Sequence, residues 1–407
     1  MTRERGPTPV VQRHVHTGMD AKILILTDYY LPGYKGGGPL RTLSNMVDRL
    51  GAEYRFCVVT RDRDLGDTEP YQGIQADSWS PVGEAEARYL SPRALSLRGL
   101  RTLFQDTEHD AVYLSSFFSP AFTIKPLLLR RLGLIPRVPF ILAPNGEFFP
   151  GALSQKRSKK QAYLGLSRVL GLYQGIIWRA TSRYEEEHIR RWFGKQVPVI
   201  VAPDLPSVTS HSSKEGRPWR EKVAGHLKIV FLSRISRQKN LSGALTMLKS
   251  LRGEVRLNIY GPLEDKKYWI ECQRIIDSLP QNVQVQYRGS VTYDKVIDVM
   301  AEHDLFFLPT LGESFGHAIL EALLAGCPVL ISDRTPWHDL QGKGVGWDLP
   351  LEQPERFRVA LQSCIGMGPQ EHRMWAQRAR AFGLEHAQEQ TIVDQYRRLF
   401  DYALRRT

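Results

Sequence analysis

The chain has 407 residues, and at about 150 residues per domain this length indicates two or three globular domains. Hydrophobic residues make up 42% of the sequence and charged residues 24%, which excludes a disordered, collagen-like or coiled-coil chain. The 55 Lys and Arg outnumber the 43 Asp and Glu, so the net charge of +12 favours negatively charged partners.

The cysteines and the apolar segments indicate where the protein resides. The four cysteines are Cys57, Cys272, Cys327 and Cys364. They form no CxxC pair and have no nearby histidine at metal-ligand spacing, so we expect a reducing compartment and no structural zinc. No apolar run reaches the roughly 18 residues of a membrane-spanning helix, and the first residues lack the apolar core of a secretory signal. We therefore expect a cytoplasmic protein with a flexible tail at residues 1–20.

The first half of the chain alternates apolar strands with helical segments. An apolar run at 22–27 is followed by the glycine-rich segment LPGYKGGGP and a helical pattern at 40–50. Further buried strands are predicted at 56–60, 111–116, 138–144 and 175–182. This alternation predicts a first parallel-sheet domain over residues 21–205.

The second half repeats the same pattern after a polar interruption. Residues 206–224 are rich in Ser, Lys, Gly and Pro, which indicates a linker. Strands are then predicted at 227–233, 256–261, 283–289, 305–310 and 327–333. We therefore expect an α/β protein whose second doubly wound, parallel-sheet domain spans 225–385. The amphipathic end, 386–407, is predicted to be a helix that packs across the domain junction.

Positive charge is concentrated in one segment of the first domain. Residues 151–200 hold 10 Lys and Arg against 3 Asp and Glu, and KRSKK at 156–160 opens a helical pattern rich in Leu, Tyr and Val. A basic amphipathic helix suits an anionic membrane surface or a phosphate-bearing acceptor. An ordinary solvated helix face explains the pattern equally well, so both interpretations stay open.

An apolar segment near residue 320 carries a stripe of polar side chains. A helix predicted over about 315–325 is apolar nearly all round, yet Glu313, His317 and Glu321 recur at intervals of four residues. Buried carboxylates need partners, and a ligand with several hydroxyl groups would supply them. In the alternative interpretation Glu313 caps the helix and Glu321 pairs with a lysine.

The same segment predicts an anion site. The amides at the helix start without intrahelical acceptors are those of Ser314, Phe315, Gly316 and His317. They lie at the carboxyl edge of a parallel strand, where open α/β sheets bind ligands, and a phosphate fits there. Arg234 and Lys239 follow the first strand of the same domain and reach the same edge. Together they can neutralise a diphosphate without a metal.

These motifs together resemble glycosyltransferase family 4 of the GT-B fold. The resemblance rests on E-x7-E within GESFGHAILEALLAGCPVL, SRISRQKN after the first strand of the second domain, IYGP at 259–262, YRGSV at 287–291 and PGYKGGGP near the amino terminus. It covers nearly the whole chain from Lys22. It implies two Rossmann-like domains that face a central cleft, with the acceptor on the side of 21–205 and a sugar nucleotide on the side of 225–385.

The resemblance also implies roles for individual residues of the second domain. Arg234 and Lys239 would hold the diphosphate of the sugar nucleotide, and Glu313 with the amides that follow it would bind the transferred sugar. Glu321 would bind the ribose hydroxyls. The backbone at Ser290 and Val291 would receive the base. Arg234, Lys239 and Glu313 are thus the catalytic candidates, and no metal ligands are expected.

The first domain supplies the acceptor side of the predicted site. Gly37 and Gly38, in the glycine-rich loop, resemble the residues that face the diphosphate; a flexible turn is the alternative. Many family members carry a histidine at a strand end near the reaction centre, whereas this chain has PNGEF. Asn145 and Glu147 are therefore candidates for acceptor contact or proton removal, although an Asn-Gly-Glu sequence is also common in turns.

The resemblance implies a retaining, metal-independent glycosyltransferase without a cofactor. It would move a sugar from a nucleotide-diphosphate sugar to a saccharide or lipid-linked saccharide in surface polysaccharide or glycolipid biosynthesis, at the inner face of the membrane. A sugar-nucleotide epimerase would use the same pocket. Asp62 and Asp64, in a DxD pattern, suit the metal-dependent transferases of another fold, and the basic charge suits a nucleic-acid-binding protein. We expect no nucleic-acid partner, because no recognition motif is present.

Overall fold

The computed structural model describes residues 21–149, 157–206, 221–387 and 390–406. These residues form two separate β-sheets of eight and six strands, with helices on their faces. The prediction of an α/β protein with two parallel-sheet domains is therefore confirmed. The expected tail and most of the expected linker, residues 207–220, lie outside the described residues.

The first strand of the amino-terminal sheet lies in its interior. Its strands are β1 (Lys22–Thr27), β2 (Arg55–Arg61), β3 (Trp79–Val82), β4 (Ala85–Leu90), β5 (Ala111–Ser115), β6 (Phe140–Ala143), β7 (Ile177–Ala180) and β8 (Val199–Val201). The helices are α1 (Gly38–Leu50), α2 (Leu97–Asp106), α3 (Lys125–Arg131), α4 (Arg157–Val169) and α5 (Arg183–Phe193). The order is β3-β4-β2-β1-β5-β6-β7-β8, parallel except where β3 meets β4. Because β1 pairs with both β2 and β5, the loop after β1 leaves at the switch point where such sheets open a crevice.

The carboxy-terminal sheet repeats this arrangement. Its strands are β9 (His226–Leu232), β10 (Glu254–Tyr260), β11 (Val283–Tyr287), β12 (Leu305–Leu308), β13 (Val329–Ser332) and β14 (Gly346–Leu349). The helices are α6 (Leu241–Leu248), α7 (Lys266–Asp277), α8 (Val296–Ala301), α9 (His317–Leu324), α10 (Pro354–Gly366) and α11 (Pro369–Ala387). All strands are parallel in the order β11-β10-β9-β12-β13-β14. The loops after β9 and β12 therefore flank the second switch point.

Strand β1 shows why the sequences of the buried strands are continuous apolar runs. Ile23 and Ile25 pack into one core of the first domain, whereas Leu24 and Leu26 pack into the core on the opposite face. Successive side chains of a strand point to opposite faces, and here helices cover both. The central residues of β1, 23–26, are therefore apolar on both faces.

The last helix returns the chain to the first domain. Helix α11 packs in the core of the carboxy-terminal domain through Ala379, whereas α12 (Gln390–Leu404) packs on the amino-terminal sheet. The ring centroids of Phe400 and Tyr54 are 5.0 Å apart. The helix expected near 386–407 is thus part of the amino-terminal core. None of the helices in the described ranges has the length and apolarity to cross a bilayer.

The structure corrects the sequence prediction at several elements. Strands β3, β4, β8 and β14 were not predicted; β3, β8 and β14 lie at sheet edges, and β4 alternates apolar with polar residues. The helix predicted from about residue 315 begins at His317, because Gly316 before it adopts the left-handed conformation with φ 83°. Ser314 and Phe315 therefore belong to the preceding loop.

Candidate active site

The loops at the carboxyl ends of both sheets line one cleft of about 260 Å³ between the domains. The amino-terminal domain contributes Tyr34, Lys35, Gly37, Gly38, Pro39, Arg41, Asn145, Gly146, Glu147, Phe149 and Asp204. The carboxy-terminal domain contributes Leu232, Ser233, Arg234, Gln238, Lys239, Gly261, Pro262, Ser290, Val291, Leu308, Gly312, Glu313, Ser314, Gly316, His317 and Ala318. The predicted site residues thus meet here, except that Phe315 and Glu321 are outside the described lining.

The glycine-rich loop after β1 is held in place by Asp64. The carboxylate of Asp64 accepts hydrogen bonds from the amides of Tyr34 and Lys35, at 2.8 and 3.1 Å. Asp62, two residues earlier, pairs with Arg63 at 2.8 Å. Asp64 of the DxD pattern therefore holds the loop, and Asp62 does not. The alternative of another fold is wrong, because the chain forms the predicted two parallel-sheet domains.

Gly37 brings the amino-terminal loop against a cation of the opposite domain. Its φ of 71° lies in the region that favours glycine, and a β-carbon at this position would lie 3.2 Å from Nε of Arg234. A β-carbon on the neighbouring Gly38 would lie 3.8 Å from the His317 ring, which is an ordinary van der Waals contact. The close approach to the second domain therefore depends on the missing side chain of Gly37.

The two predicted cations follow β9 and are both paired with carboxylates. Arg234 contacts Glu264 at 3.0 Å, and both side chains are about one-third exposed, at 33% and 37%. Lys239 contacts Glu313 at 2.5 Å, and this pair is largely buried. A cation already partnered by a carboxylate is fixed in position, yet Arg234 and Lys239 both still line the cleft.

The loop after β12 is built against the loop after β9. The Gln238 carbonyl accepts the Leu311 amide at 2.8 Å, and the Gln238 side chain donates to the Gly312 carbonyl at 3.0 Å. Phe315 packs against Trp337, whose indole N–H donates to the Phe315 carbonyl at 2.6 Å. The Phe315 side chain therefore packs against the core of the carboxy-terminal domain.

His317 lines the cleft and contacts residues of the first domain. Its Nε2 lies 3.0 Å from the Thr42 hydroxyl and 3.9 Å from the Asp204 carboxylate, both in the first domain. Burial lowers the pKa of His317 to about 4, although the nearby Asp204 opposes this shift. The imidazole is therefore neutral at physiological pH.

Glu321 lies one turn further along α9 and is bound by Arg41. The guanidinium of Arg41, from helix α1, forms an ion pair with Oε1 of Glu321 across the domain boundary. The Arg41 guanidinium also stacks over the Tyr293 ring, 4.9 Å from its centroid. Burial raises the pKa of Glu321, and the charge of Arg41 opposes that rise. The alternative interpretation is wrong at both carboxylates: Glu321 pairs with an arginine and not a lysine, and Glu313 pairs with Lys239 and does not cap α9.

Glu147 is a partly buried carboxylate on the amino-terminal side of the cleft. It accepts hydrogen bonds from the Ser116 hydroxyl at 2.9 Å and from the amides of Phe117 and Phe118. Burial raises its pKa to about 7, although these donors and the charge of Lys160 oppose the shift. Such a carboxylate exchanges its proton near neutral pH, as a general base requires.

Buried charged side chains hold the Asn145–Glu147 turn. Arg179, which is fully buried, donates to the Asn145 side chain at 3.0 Å and to Asp204 at 2.7 Å. Glu185 accepts the Gly146 amide at 2.5 Å. Buried ionic groups persist only when they are paired in this way. The turn is therefore a rigid part of the cleft wall.

The comparison with known families is consistent with this geometry. The family model of the glycosyl transferases group 1 matches residues 214–382. This range contains both cations, Glu313 and Glu321. The predicted resemblance to glycosyltransferases is thus confirmed for residues 214–382, at the level of group 1. The narrower assignment to family 4 stays a prediction.

Curated relatives match only part of this chain. The phosphatidylinositol N-acetylglucosaminyltransferase GPI3 subunit of Saccharomyces cerevisiae (strain YJM789) is 28% identical over 136 residues. This match covers 33% of the present chain and 28% of the yeast protein. The chain therefore spans less than a third of the length of that relative.

Solved structures share the fold over nearly the entire chain. Sucrose-phosphate synthase from Thermosynechococcus elongatus superposes with a TM-score of 0.69 at 15% identity, over 95% of this chain and 100% of that one. HepE from Anabaena, in complex with UDP and glucose, gives 0.67 at 16% identity, over 94% and 100%. WaaG, a glycosyltransferase involved in lipopolysaccharide biosynthesis, gives 0.65 at 14% identity, over 94% and 99%. The predicted GT-B fold is confirmed.

Sequence reasoning missed several residues that shape the cleft. Arg41, Asp204, Arg179 and Glu185 lie in the first domain, and none belongs to a motif that carries its role. Arg41 lies two residues after the end of the glycine-rich segment, which was the one available signal. The others are recognised only because their buried side chains meet residues of distant segments.

Proposed function

We propose that this chain transfers a sugar from a nucleotide-diphosphate sugar to a saccharide or lipid-linked saccharide, with retention of the anomeric configuration and without a metal. The product would enter a surface polysaccharide or glycolipid. The match to group 1 supports the reaction class. The relatives that hold UDP and glucose support a nucleotide sugar as the sugar donor.

One observation carries the proposal: both cations after β9 line the same cleft as the loop amides after β12. Arg234 and Lys239 stand beside Ser314 and Gly316 in that lining. Breaking the bond between the anomeric carbon and the phosphate places negative charge on the departing diphosphate. Preorganised positive groups stabilise that charge in the transition state. Arg234 and Lys239 supply this charge from the protein, which supports a reaction without a metal.

The assignments within the sugar donor follow from the resemblance to glycosyltransferase family 4. Glu313, held by Lys239, would accept hydroxyls of the transferred sugar. Glu321 would accept the ribose hydroxyls, and the backbone at Ser290 and Val291 would border the base. Gly37 and Gly38 would lie against the diphosphate from the other domain.

On the acceptor side, Glu147 would contact the attacking hydroxyl. The hydroxyl would attack the anomeric carbon on the face that the diphosphate leaves. Its proton would pass to the departing phosphate oxygen or to Glu147, whose pKa of about 7 suits proton exchange. The C–O bond to phosphate breaks as the new glycosidic C–O bond forms, so the configuration is retained.

An exposed apolar and basic face supports contact with an anionic membrane. Leu166, Val169 and Leu170 at the end of α4 are 58%, 85% and 44% exposed. The exposed cations Lys159 and Arg168 lie on the same helix. Apolar side chains that enter the lipid interface, next to cations that attract anionic headgroups, are typical of peripheral membrane binding. This supports a location at the inner face of the membrane.

The test begins with the sugar donor. The purified chain is screened by thermal shift against UDP, GDP and ADP sugars, and the nucleotide sugar that binds is incubated with saccharide acceptors in the presence and absence of EDTA. A new glycoside with the anomeric configuration of the sugar donor, formed at the same rate with EDTA, is expected. Loss of activity with EDTA contradicts the metal-free mechanism. An epimerised sugar with no glycoside would instead identify an epimerase.

A further inference from the structure

The Arg41–Glu321 ion pair is the feature that the proposed function leaves unexplained. Arg41 lies on α1 of the acceptor domain, and Glu321 lies on α9 of the opposite domain, 280 residues away. Both side chains are largely buried, at 18% and 8% exposure. A cation from one domain therefore holds the very carboxylate that the other domain would offer to a ribose.

The carboxylate of Glu321 is only half satisfied. Oε1 accepts from Arg41, whereas Oε2 is buried and has no hydrogen-bond partner among the described residues. Nearly all buried polar atoms in proteins have a partner, so an unpartnered carboxylate oxygen marks a place where a hydrogen-bond donor belongs. A ribose hydroxyl is such a donor.

Arg41 is placed to serve this site. Its side chain lines the cleft, and its guanidinium packs over the ring of Tyr293. Tyr293 is two residues beyond Val291, in the segment that would border the base. Arginine presents five N–H donors in a fixed planar fork, so one pair to Glu321 and one aromatic contact fix its orientation.

We propose that Arg41 is a positioning residue for the nucleoside half of the sugar donor. It pairs with Glu321 and orients it, so that Oε2 accepts a ribose hydroxyl, and the acceptor domain thereby completes a site formed mainly by the other domain. This inference rests on the proposed function, since it requires a nucleotide in the cleft. It adds that nucleotide binding and the approach of the two domains are coupled through one ion pair.

The test compares nucleotide binding, which needs no acceptor. Calorimetry measures the affinity of UDP, or of GDP or ADP if one of these binds instead, and of the matching 2′-deoxynucleotide. The wild-type chain is expected to prefer the ribonucleotide. Arg41→Ala is expected to weaken ribonucleotide binding about tenfold and to remove most of that preference, because the hydrogen bond to the carboxylate is lost.

Two further variants separate positioning from a general structural effect. Arg41→Lys retains the charge and is expected to recover part of the ribose preference. In Arg41→Ala combined with Glu321→Gln, the effects are expected to be non-additive, because both changes disrupt one interaction. Arg98→Ala removes an exposed arginine of the same domain and is expected to bind like the wild type. Thermal melting of each variant verifies folding.

The outcomes are distinct. Unchanged or tighter ribonucleotide binding by Arg41→Ala overturns the inference, since tighter binding would mean that Arg41 competes with the ribose for Glu321. Weaker binding with the ribose preference intact also overturns it. If the wild-type chain binds none of the three nucleotides, the proposed function fails and this inference fails with it.

Discussion

Gly37 and Arg234 meet across the cleft, at a distance where a β-carbon on the glycine would force the arginine side chain to shift. A β-carbon on Gly37 would lie 3.2 Å from Nε and 3.4 Å from Cδ of Arg234. The loop of one domain thus defines where the cation of the other domain can lie. Because Arg234 faces the predicted diphosphate site, the shape of this loop bears on the chemistry.

We expect Gly37→Ala to reduce kcat/KM on the order of tenfold, because it adds backbone strain at φ 71° and displaces the Arg234 guanidinium. Steady-state kinetics with the sugar donor measures the effect. Gly66→Ala is the matched control: Gly66 has φ 81°, but a β-carbon there meets nothing within 4 Å. Equal losses in both variants would show that strain alone, and not contact with Arg234, is responsible.

We expect Arg234→Ala to lower turnover on the order of 10²- to 10³-fold while nucleotide affinity falls much less. The charge of Arg234 would matter most when negative charge develops on the leaving diphosphate. Single-turnover rates and calorimetry measure the two effects. Arg237→Ala, three residues further on, removes a half-exposed arginine paired with Glu271 and is expected to retain activity. Unchanged turnover in Arg234→Ala would remove this residue from the mechanism.

We expect the acceptor-dependent rate to rise with pH and to level off above about 7, the pKa to which burial raises Glu147. The ionised carboxylate takes up the acceptor proton, whereas the protonated form does not. In Glu147→Gln this limb of the pH profile is expected to disappear, while nucleotide affinity is retained. Profiles of kcat/KM for both proteins make the comparison. An identical limb in the variant would assign it to another group.

The raised pKa of Glu147 also makes stability depend on pH. Between the ordinary value of 4.5 and about 7, the folded state binds more protons than the unfolded state, so this group lowers the free energy of unfolding as pH rises. Glu147→Gln lacks this contribution. We therefore expect its unfolding free energy to fall less across this interval than that of the wild type. Urea unfolding at both ends of the interval measures it, and a steeper fall in the variant contradicts the prediction.

We expect Leu166→Ser combined with Val169→Ser to reduce binding to phosphatidylcholine vesicles that contain about one-third phosphatidylglycerol. Both side chains are exposed at the end of α4, so their loss removes apolar contact with lipid without opening a core. Vesicle sedimentation measures the bound fraction. Val359→Ser, a 70% exposed position of the other domain, is the control. Equal binding by the double variant and the wild type would exclude this face as the membrane contact.

Much of the architecture was predictable because it depends on local patterns. The apolar runs of β1, β5 and β9 are buried on both faces, so their composition alone identifies them. The edge strands β3, β8 and β14 were missed, since a short edge strand carries little periodic signal. The start of α9 was predicted two residues early, because the left-handed conformation of Gly316 depends on its loop and not on helix propensity.

The sequence by itself determined which chemical groups the protein has and on which strands, helices and loops they lie. The order of βα units brings Arg234, Lys239 and Glu313 to one edge of one sheet, because parallel strands all end there. Only the tertiary structure decided what each of these groups contacts. The ion pair of Arg41 with Glu321 and the approach of Gly37 to Arg234 join side chains or backbone from different domains. Such contacts follow from how two cores pack together, which no local pattern encodes.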